Sequence, residues 1–282
     1  MSGHSGRRAV DPEVVMAQVV GTKRVSPHMM RVTLGGEGIG RLTLQGYDQW
    51  FRLFMPRPGQ ENLKLPTTSS SWWYAQYLAT PRSKRPYVRN YTVRAARGDL
   101  AEIDVDFVVH EDADGSSGPG AGFATGCRTG EQVGLLDQGV GYNPRHDHDW
   151  VLLVADESGL PAVAGICESL PAGMRGLAIV EVPTAADKQD FQAPPGIEVR
   201  WVVRDGSPRT TSDAGTGPDG VPGAAALEAV RAADLPDGVG YAFAVGESAL
   251  ATGTRRHLVN DRGMPRTHVD FVGYWKHGRA SS

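Results

Sequence analysis

The run Tyr87–Arg94 reads Tyr-Val-Arg-Asn-Tyr-Thr-Val-Arg and places two arginines, two tyrosines and a threonine close together. On an extended strand, residues i and i+2 leave the same face, so Arg89 and Tyr91 can act on one ligand. Arg89 offers a fixed cation for phosphate oxygens. Tyr91 offers a ring face, and Thr92 a hydroxyl beside it. A flavin nucleotide asks for those three things: a cation at its pyrophosphate, a ring against its isoalloxazine, and a donor near N5. An ordinary exposed strand holds the same residue types, because tyrosine is common in strands. Taken alone, the run favours that plainer reading.

A second stretch, Val105–Ala124, carries an acidic, Gly/Ser-rich turn after a strand. Backbone N–H groups in such a turn, and at a following helix start, make a phosphate cradle. Gly118, Gly120 and Gly122 do not form the dinucleotide fingerprint, since they do not open a βαβ unit. A simple loop is the plainer reading. A third stretch, Ala155–Ala162, follows a strongly apolar run. Ser158 reads as a helix N-cap with Pro161 in the first turn. Gly246, Glu247 and Ser248 hold the equivalent place further on. His146 and His148 have a spacing that could hold a metal, but beside Arg145 and Asp147 they read as solvated. No Walker A, G-x-S-x-G, H-E-x-x-H or paired C-x-x-C motif occurs.

These residues need elements to hold them. The first half is rich in short β-branched runs broken by turns: Val14–Leu34, Trp50–Met55, Tyr87–Arg94 and Ala101–His110. In the last of these, Ile103, Val105 and Phe107 alternate with Asp104, Asp106 and Val108, a strand with one face buried. The character changes near residue 148. Val151–Ala155 is continuously apolar, as expected for a strand covered on both faces of a parallel sheet. Strands at 176–182, 197–203, 240–245 and 269–273 then alternate with helices at 160–170, 224–233 and 249–261. That alternation predicts an open α/β sheet. Residues 206–223, rich in Gly, Pro, Ser, Thr and Asp, read as a loop. The expected division is a tail at 1–13, a β domain at 14–147 and an α/β domain at 148–282.

Composition narrows the function. The chain has 282 residues, 40% of them hydrophobic, with a net charge of −3. Without clustered Lys/Arg runs, nucleic acid is a poor partner. No apolar run approaches the ~20 residues that span a bilayer. The start, Met-Ser-Gly-His-Ser-Gly-Arg-Arg, has no apolar core like that of a secretory signal. Cys127 and Cys167 form no disulfide framework and no iron–sulfur ligand set. A cytoplasmic protein is the expectation.

Taken together, RPYVRNYTVR, DVDFVVH, GPGAGFA, VGLLDQGVGYNP, DWVLLVADESGLPA, YAFAVGE and RRHLVNDRGMPRTHVDFVGYWKHGRA resemble the siderophore-interacting protein family. That family consists of FAD-dependent ferric-siderophore reductases related to the ferredoxin reductases. The resemblance runs from about Val14 to Arg279. It implies a six-stranded antiparallel β-barrel that binds FAD, then an open parallel α/β domain that binds NAD(P)H. It carries FAD contacts onto Arg89, Asn90, Tyr91, Thr92, Asp106, Phe107, Val108, His110, Ala121, Phe123 and Ala124. Asp156, Glu157, Ser158, Gly246 and Glu247 fall at the NAD(P)H edge. Tyr274, Trp275, Lys276 and Arg279 fall where the siderophore is met and the cleft by the flavin is closed. The chain departs from the family at Ala121-Gly122-Phe123-Ala124, where Ser followed by Arg-Trp-Ala is usual, so a phosphate-binding hydroxyl is missing. Phe123 keeps an aromatic ring for the adenine.

The expected activity is NAD(P)H-dependent reduction of a ferric siderophore through FAD. The cofactor carries the chemistry, so no acid, base or nucleophile and no protein-bound metal is expected. The alternatives are a flavin reductase of the same fold with another acceptor, such as a quinone, free flavin or redox protein, and a non-catalytic siderophore-binding module. Arg204 and Arg209 lie where a 2′-phosphate could be met, though surface arginines are usually just solvated.

Overall fold

The computed structural model describes residues 6–60, 62–70, 72–109, 118–204 and 221–278. The chain divides into two compact units, one spanning Arg7–Val140 and the other running from Gly141 onwards.

The first unit is an antiparallel sheet. Its strands are β1 (Val14–Ser26), β2 (Met29–Gly35), β3 (Gln49–Met55), β4 (Tyr87–Thr92), β5 (Ala95–Arg97), β6 (Glu102–Val108) and β7 (Gln132–Val140), in the order β4-β3-β7-β1-β2-β6-β5. Three short helices accompany them: α1 (Glu37–Gly40), α2 (Trp73–Ala79) and α3 (Pro119–Gly126). The sheet therefore has seven strands where six were expected. The reason is local. β4 and β5 stand at opposite ends of the order, yet only Val93 and Arg94 separate them in sequence. Val93 N–H donates to Gln49 of β3, and Arg94 N–H donates to Asp104 of β6. One chain path thus serves both ends of the sheet and is counted twice.

Alternation fills this unit's core with Val15, Val32, Phe51, Leu53, Ile103, Val105, Phe107 and Leu135. Each such side chain contributes roughly 1.5–3 kcal/mol by leaving water. β6 departs from the one-faced pattern, because Asp104 and Asp106 on its other face are buried too. Arg31 holds Asp106 through two bonds of 2.7 and 2.9 Å. Arg97 holds Asp104 in the same way, with both bonds at 2.8 Å. Ion pairing lets an acidic face go under cover, which alternation alone does not foresee. Within the expected tail, Arg7 exchanges two 2.9 Å backbone hydrogen bonds with Val140.

The second unit is a five-stranded parallel sheet. Its strands are β8 (Trp150–Ala155), β9 (Arg175–Val182), β10 (Gly196–Val203), β11 (Gly240–Glu247) and β12 (Val269–Trp275), in the order β10-β9-β8-β11-β12. The principal helices are α4 (Leu160–Ser169), α5 (Ala224–Ala232) and α6 (Ser248–Arg256). β8 and β11 are buried along their whole length, as a central parallel strand requires. The chain winds outward from β8 to β10, then returns beside β8 as β11. That reversal places a topological switch point at the carboxyl ends of β8 and β11, where open α/β sheets bind ligands.

Candidate functional site

In the first unit, β4 presents Arg89 and Tyr91 on one side and Asn90 on the other. The Tyr91 ring packs on Phe107, centroids 4.2 Å apart, and Phe107 lies 6.0 Å from Phe123. Burial pushes the Tyr91 phenol up, while the nearby Arg89 charge pulls it down, so it stays a neutral hydroxyl. Asn90 instead faces Arg52, whose Nη1 donates to its Oδ1 at 3.4 Å. Thr92 is buried opposite Trp50 in the β3 ladder.

The GPGAGFA segment is a helix rather than a loop. Pro119 sits in its first turn, where a missing N–H costs nothing. Gly120 is required there, because a Cβ at that position would fall on the Tyr91 hydroxyl. Phe123 and Ala124 are buried in the core cluster, and Ala121 is partly buried beside them. Asp106 and Val108 leave the opposite face of β6 from Phe107, and Asp106 is taken by Arg31. His110 lies outside the described residues.

A cleft of about 600 Å³ opens between the start of β4, the Pro56–Gln60 turn and α3. Arg57, Tyr87, Gly118, Gly122, Phe123 and Cys127 are among its lining. The Arg57 guanidinium lies 4.2 Å over the Tyr87 ring. A Cβ on Gly118 would meet nothing within 4 Å, so a ligand can approach that backbone closely. The first N–H groups of a helix have no partner within it, and Gly120 and Ala121 offer theirs at this end. An aromatic ring, a cation and the open Gly118 backbone around a cleft of this size fit a flavin dinucleotide. Arg57 and Cys127 escaped the sequence reading, and Tyr87 was given no role of its own within its run. The Pro-Arg-Pro-Gly turn after β3 was the available signal.

In the second unit, the switch point gathers its candidates tightly. Asp156 is fully buried just beyond β8. It accepts from Ser158 N–H at 2.8 Å, Ser158 Oγ at 2.5 Å, Glu247 N–H at 2.6 Å and the Trp275 indole at 3.3 Å. Burial, reinforced by the Glu157 charge, pushes its carboxyl up to about 7. Gly246, at φ 118°, lets the backbone pass against Asp156, and a Cβ there would strike the carboxylate. Glu247 caps α6 by accepting from Ala249 and Leu250 N–H. Its other oxygen takes His277 N–H at 3.1 Å. Ser248 Oγ donates to the Trp275 carbonyl at 2.7 Å. The segment after β12 is thereby fastened to the sheet edge. Trp275 is half-buried, while Tyr274 and Lys276 are exposed. Arg279 lies outside the described residues.

Three expectations change here. Ser158 is not the N-cap of α4. Gly159 holds that place, because the Asp156 carboxylate captures the Ser158 hydroxyl. Glu157 and Arg204 turn inward: Arg204 grips Glu157 at 2.7 and 2.8 Å and Glu181 at 2.8 Å, all three buried. Arg204 is therefore an internal ion-pair centre and not a solvated cation, and Arg209 lies outside the described residues. The histidines are not simply solvated either. His146 stacks on His268 with centroids 3.5 Å apart, and His148 Nδ1 lies 3.2 Å from the His146 carbonyl.

An antiparallel β unit with an aromatic–cation cleft, followed by a parallel sheet with an acid–glycine switch point, defines the class of two-unit flavin and nicotinamide oxidoreductases. Comparison with known proteins narrows the class. Residues 18–141 match the siderophore-interacting FAD-binding domain, and residues 148–278 match the siderophore-interacting protein model. Ferric vibriobactin reductase ViuB of Vibrio cholerae is 31% identical over 260 residues, covering 91% of this chain and 87% of that protein. The NADPH-dependent ferric-chelate reductase of Escherichia coli is 26% identical over 192 residues, covering 66% and 70%. The crystal structure of a siderophore utilization protein from T. fusca superposes with a TM-score of 0.77 at 30% identity, covering 96% of each chain. The chain belongs to the siderophore-interacting protein family.

Proposed function

We propose that this protein is an NAD(P)H-dependent, FAD-containing reductase of ferric siderophores. The observation that supports the reading is the β4–α3 arrangement: Arg89 and Tyr91 leave one face of β4, and Tyr87 at the start of that strand lines, with Gly118, Pro119 and Gly122, a cleft of about 600 Å³. The relatives named as ferric reductases support the acceptor. Bound FAD supplies hydride acceptance and single-electron delivery.

The residues have holding and shielding roles. Arg89 and Arg57 neutralise pyrophosphate charge, and the Gly120 and Ala121 amides complete the cradle. Tyr91 gives its ring to the flavin face, and Thr92 its hydroxyl to the N5 edge. Asp156, Ser158, Gly246 and Glu247 shape the edge that takes the nicotinamide nucleotide. Tyr274, Trp275 and Lys276 meet the siderophore. Lys276 steers an anionic chelate, an attraction that salt screens. Hard oxygen donors hold Fe(II) less tightly than Fe(III), so one-electron reduction frees the metal. Among the described residues, no helix is long and apolar enough to cross a membrane. Free Cys127 and Cys167 suit the reducing cytoplasm, where NAD(P)H is also available.

The test is direct. The purified protein is inspected for a flavin absorption band, reduced anaerobically with NADH or NADPH, and mixed with a ferric siderophore and an Fe(II) trap. Bleaching followed by Fe(II) formation is expected. A protein that binds no FAD would end the enzyme reading. Bleaching without Fe(II) would move the acceptor to a quinone, free flavin or redox protein.

A further inference from the structure

Between the Pro56–Gln60 turn and β4 lies a segment to which no role has been given, and its composition is unusual. No Asp or Glu occurs between Glu61 and Asp99, in a chain whose net charge is −3. The same stretch contains Lys64, Arg82, Lys84 and Arg85, and the aromatics Trp72, Trp73, Tyr74 and Tyr77. None of the α2 residues is buried. Trp72 is 71% exposed, Tyr74 52% and Leu78 46%.

Attachment of α2 to the sheet uses other residues. Trp73 packs edge-on against Phe54 at 5.9 Å and lies 4.6 Å from the Arg52 guanidinium. The Tyr77 hydroxyl donates to the Pro86 carbonyl at 3.0 Å. The basic turn at Arg82–Lys84 is folded back on the helix end, because Arg85 donates to the Leu78 and Thr80 carbonyls. Trp72 stands mostly outward and Leu78 is about half exposed. Polar residues at those positions would cost the fold little beside what the core strands contribute.

We propose that α2 and the turn after it form a peripheral docking site for an anionic lipid surface. Tryptophan and tyrosine prefer the depth of lipid headgroups, where one end of the ring is wet and the other dry. Trp72 at the helix start and Tyr74 and Leu78 within it offer exposed side chains that can sit at headgroup depth. Arg82 and Lys84, both exposed, supply the matching charge without an acidic residue nearby in sequence to cancel it. The surface lies on the first unit beside its dinucleotide cleft: none of Trp72–Leu78 lines the cleft, while Arg57 and Gln60, which do, donate to the Arg85 and Lys84 carbonyls at 2.6 and 2.9 Å.

The test uses the full-length, FAD-loaded protein without NAD(P)H, sedimented with vesicles of phosphatidylcholine alone or mixed equally with phosphatidylglycerol. Binding to the mixed vesicles is expected to exceed binding to the neutral ones by tenfold or more, and to fall with added salt. Arg82→Gln with Lys84→Gln lowers it about thirtyfold, at roughly fivefold per cation. Trp72→Ser with Leu78→Ser lowers it by about tenfold or more. In both variants the flavin band and reduction of a soluble acceptor stay unchanged, which shows that the fold is intact. Equal binding to both vesicle types, or binding indifferent to both variants, would overturn the proposal. So would a lipid-free dimer that the same variants abolish, since the face would then join two copies. Loss of ferric-chelate binding in the variants, without lipid present, would make it a ligand site instead.

Discussion

Asp156→Asn separates the buried carboxyl at the switch point from every other titrating group. The ordinary value for this carboxyl is 3.8, and in the folded protein it rises to about 7. The folded pKa is raised, so the unfolded chain releases this proton first as pH climbs. Stability then falls between about pH 4 and pH 7 and levels off above. The full shift is 7 − 3.8 = 3.2, and at ~1.36 kcal/mol per unit this is about 4 kcal/mol. Between pH 5 and pH 8 the remaining two units give about 3 kcal/mol.

Asparagine is neutral throughout, so this slope disappears. It also turns an NH2 towards the Glu247 N–H and the Trp275 indole, which both donate to Oδ2. Two donors facing a donor cost about 1–3 kcal/mol. The variant is thus less stable than the parent at pH 5, and the gap closes or inverts by pH 8. Urea unfolding of both proteins at intervals across that range reads the difference. Parallel curves, with a constant offset at every pH, would refute the account of the carboxyl as destabilised by its own burial.

Further expectations follow from the same geometry. Arg204→Ala leaves Glu157 and Glu181 buried without their cation and should destabilise by about 3–5 kcal/mol in urea unfolding. Arg204→Lys keeps the charge but loses the fork and recovers only part of it. Arg89→Ala should weaken FAD retention about tenfold to a hundredfold by equilibrium dialysis, with the melting of the flavin-free protein unchanged. Gly120→Ala should drive a methyl into the Tyr91 hydroxyl and cost about 1–3 kcal/mol, and adding Tyr91→Phe should return most of it. Additive losses in that pair would show that the two residues do not touch.

Much of the fold is legible in the sequence because its signals are local. The β8 run, Trp150–Ala155, is apolar throughout, and only a strand covered on both sides reads that way. The alternation after it gives the parallel sheet nearly strand for strand. β5 escapes because three residues carry too little pattern, and α2 because nothing in its row of aromatics is buried to impose a period. β6 shows a different limit. Its alternation correctly picks out Ile103, Val105 and Phe107, yet its acidic face is also covered, by Arg31 and Arg97 from neighbouring strands. A partner distant in sequence decides whether a charged face meets water.

The site is legible in position more than in orientation. Asp156, Ser158, Gly246 and Glu247 converge because strand ends in a switched parallel sheet must converge. What each does there depends on competition among neighbours. Ser158 has the composition of a cap, but the adjacent carboxylate is a stronger acceptor for its hydroxyl, so the cap falls to Gly159. Glu157 sits beside Asp156 in sequence yet turns to Arg204, because two buried acids cannot both stay unpaired next to each other. The pairing has a chemical consequence. The Glu157 carboxylate, held beside Asp156 by that pairing, adds to burial in raising the Asp156 carboxyl. The arginine read from the sequence as solvated is thus what lets that second carboxylate stay under cover next to Asp156.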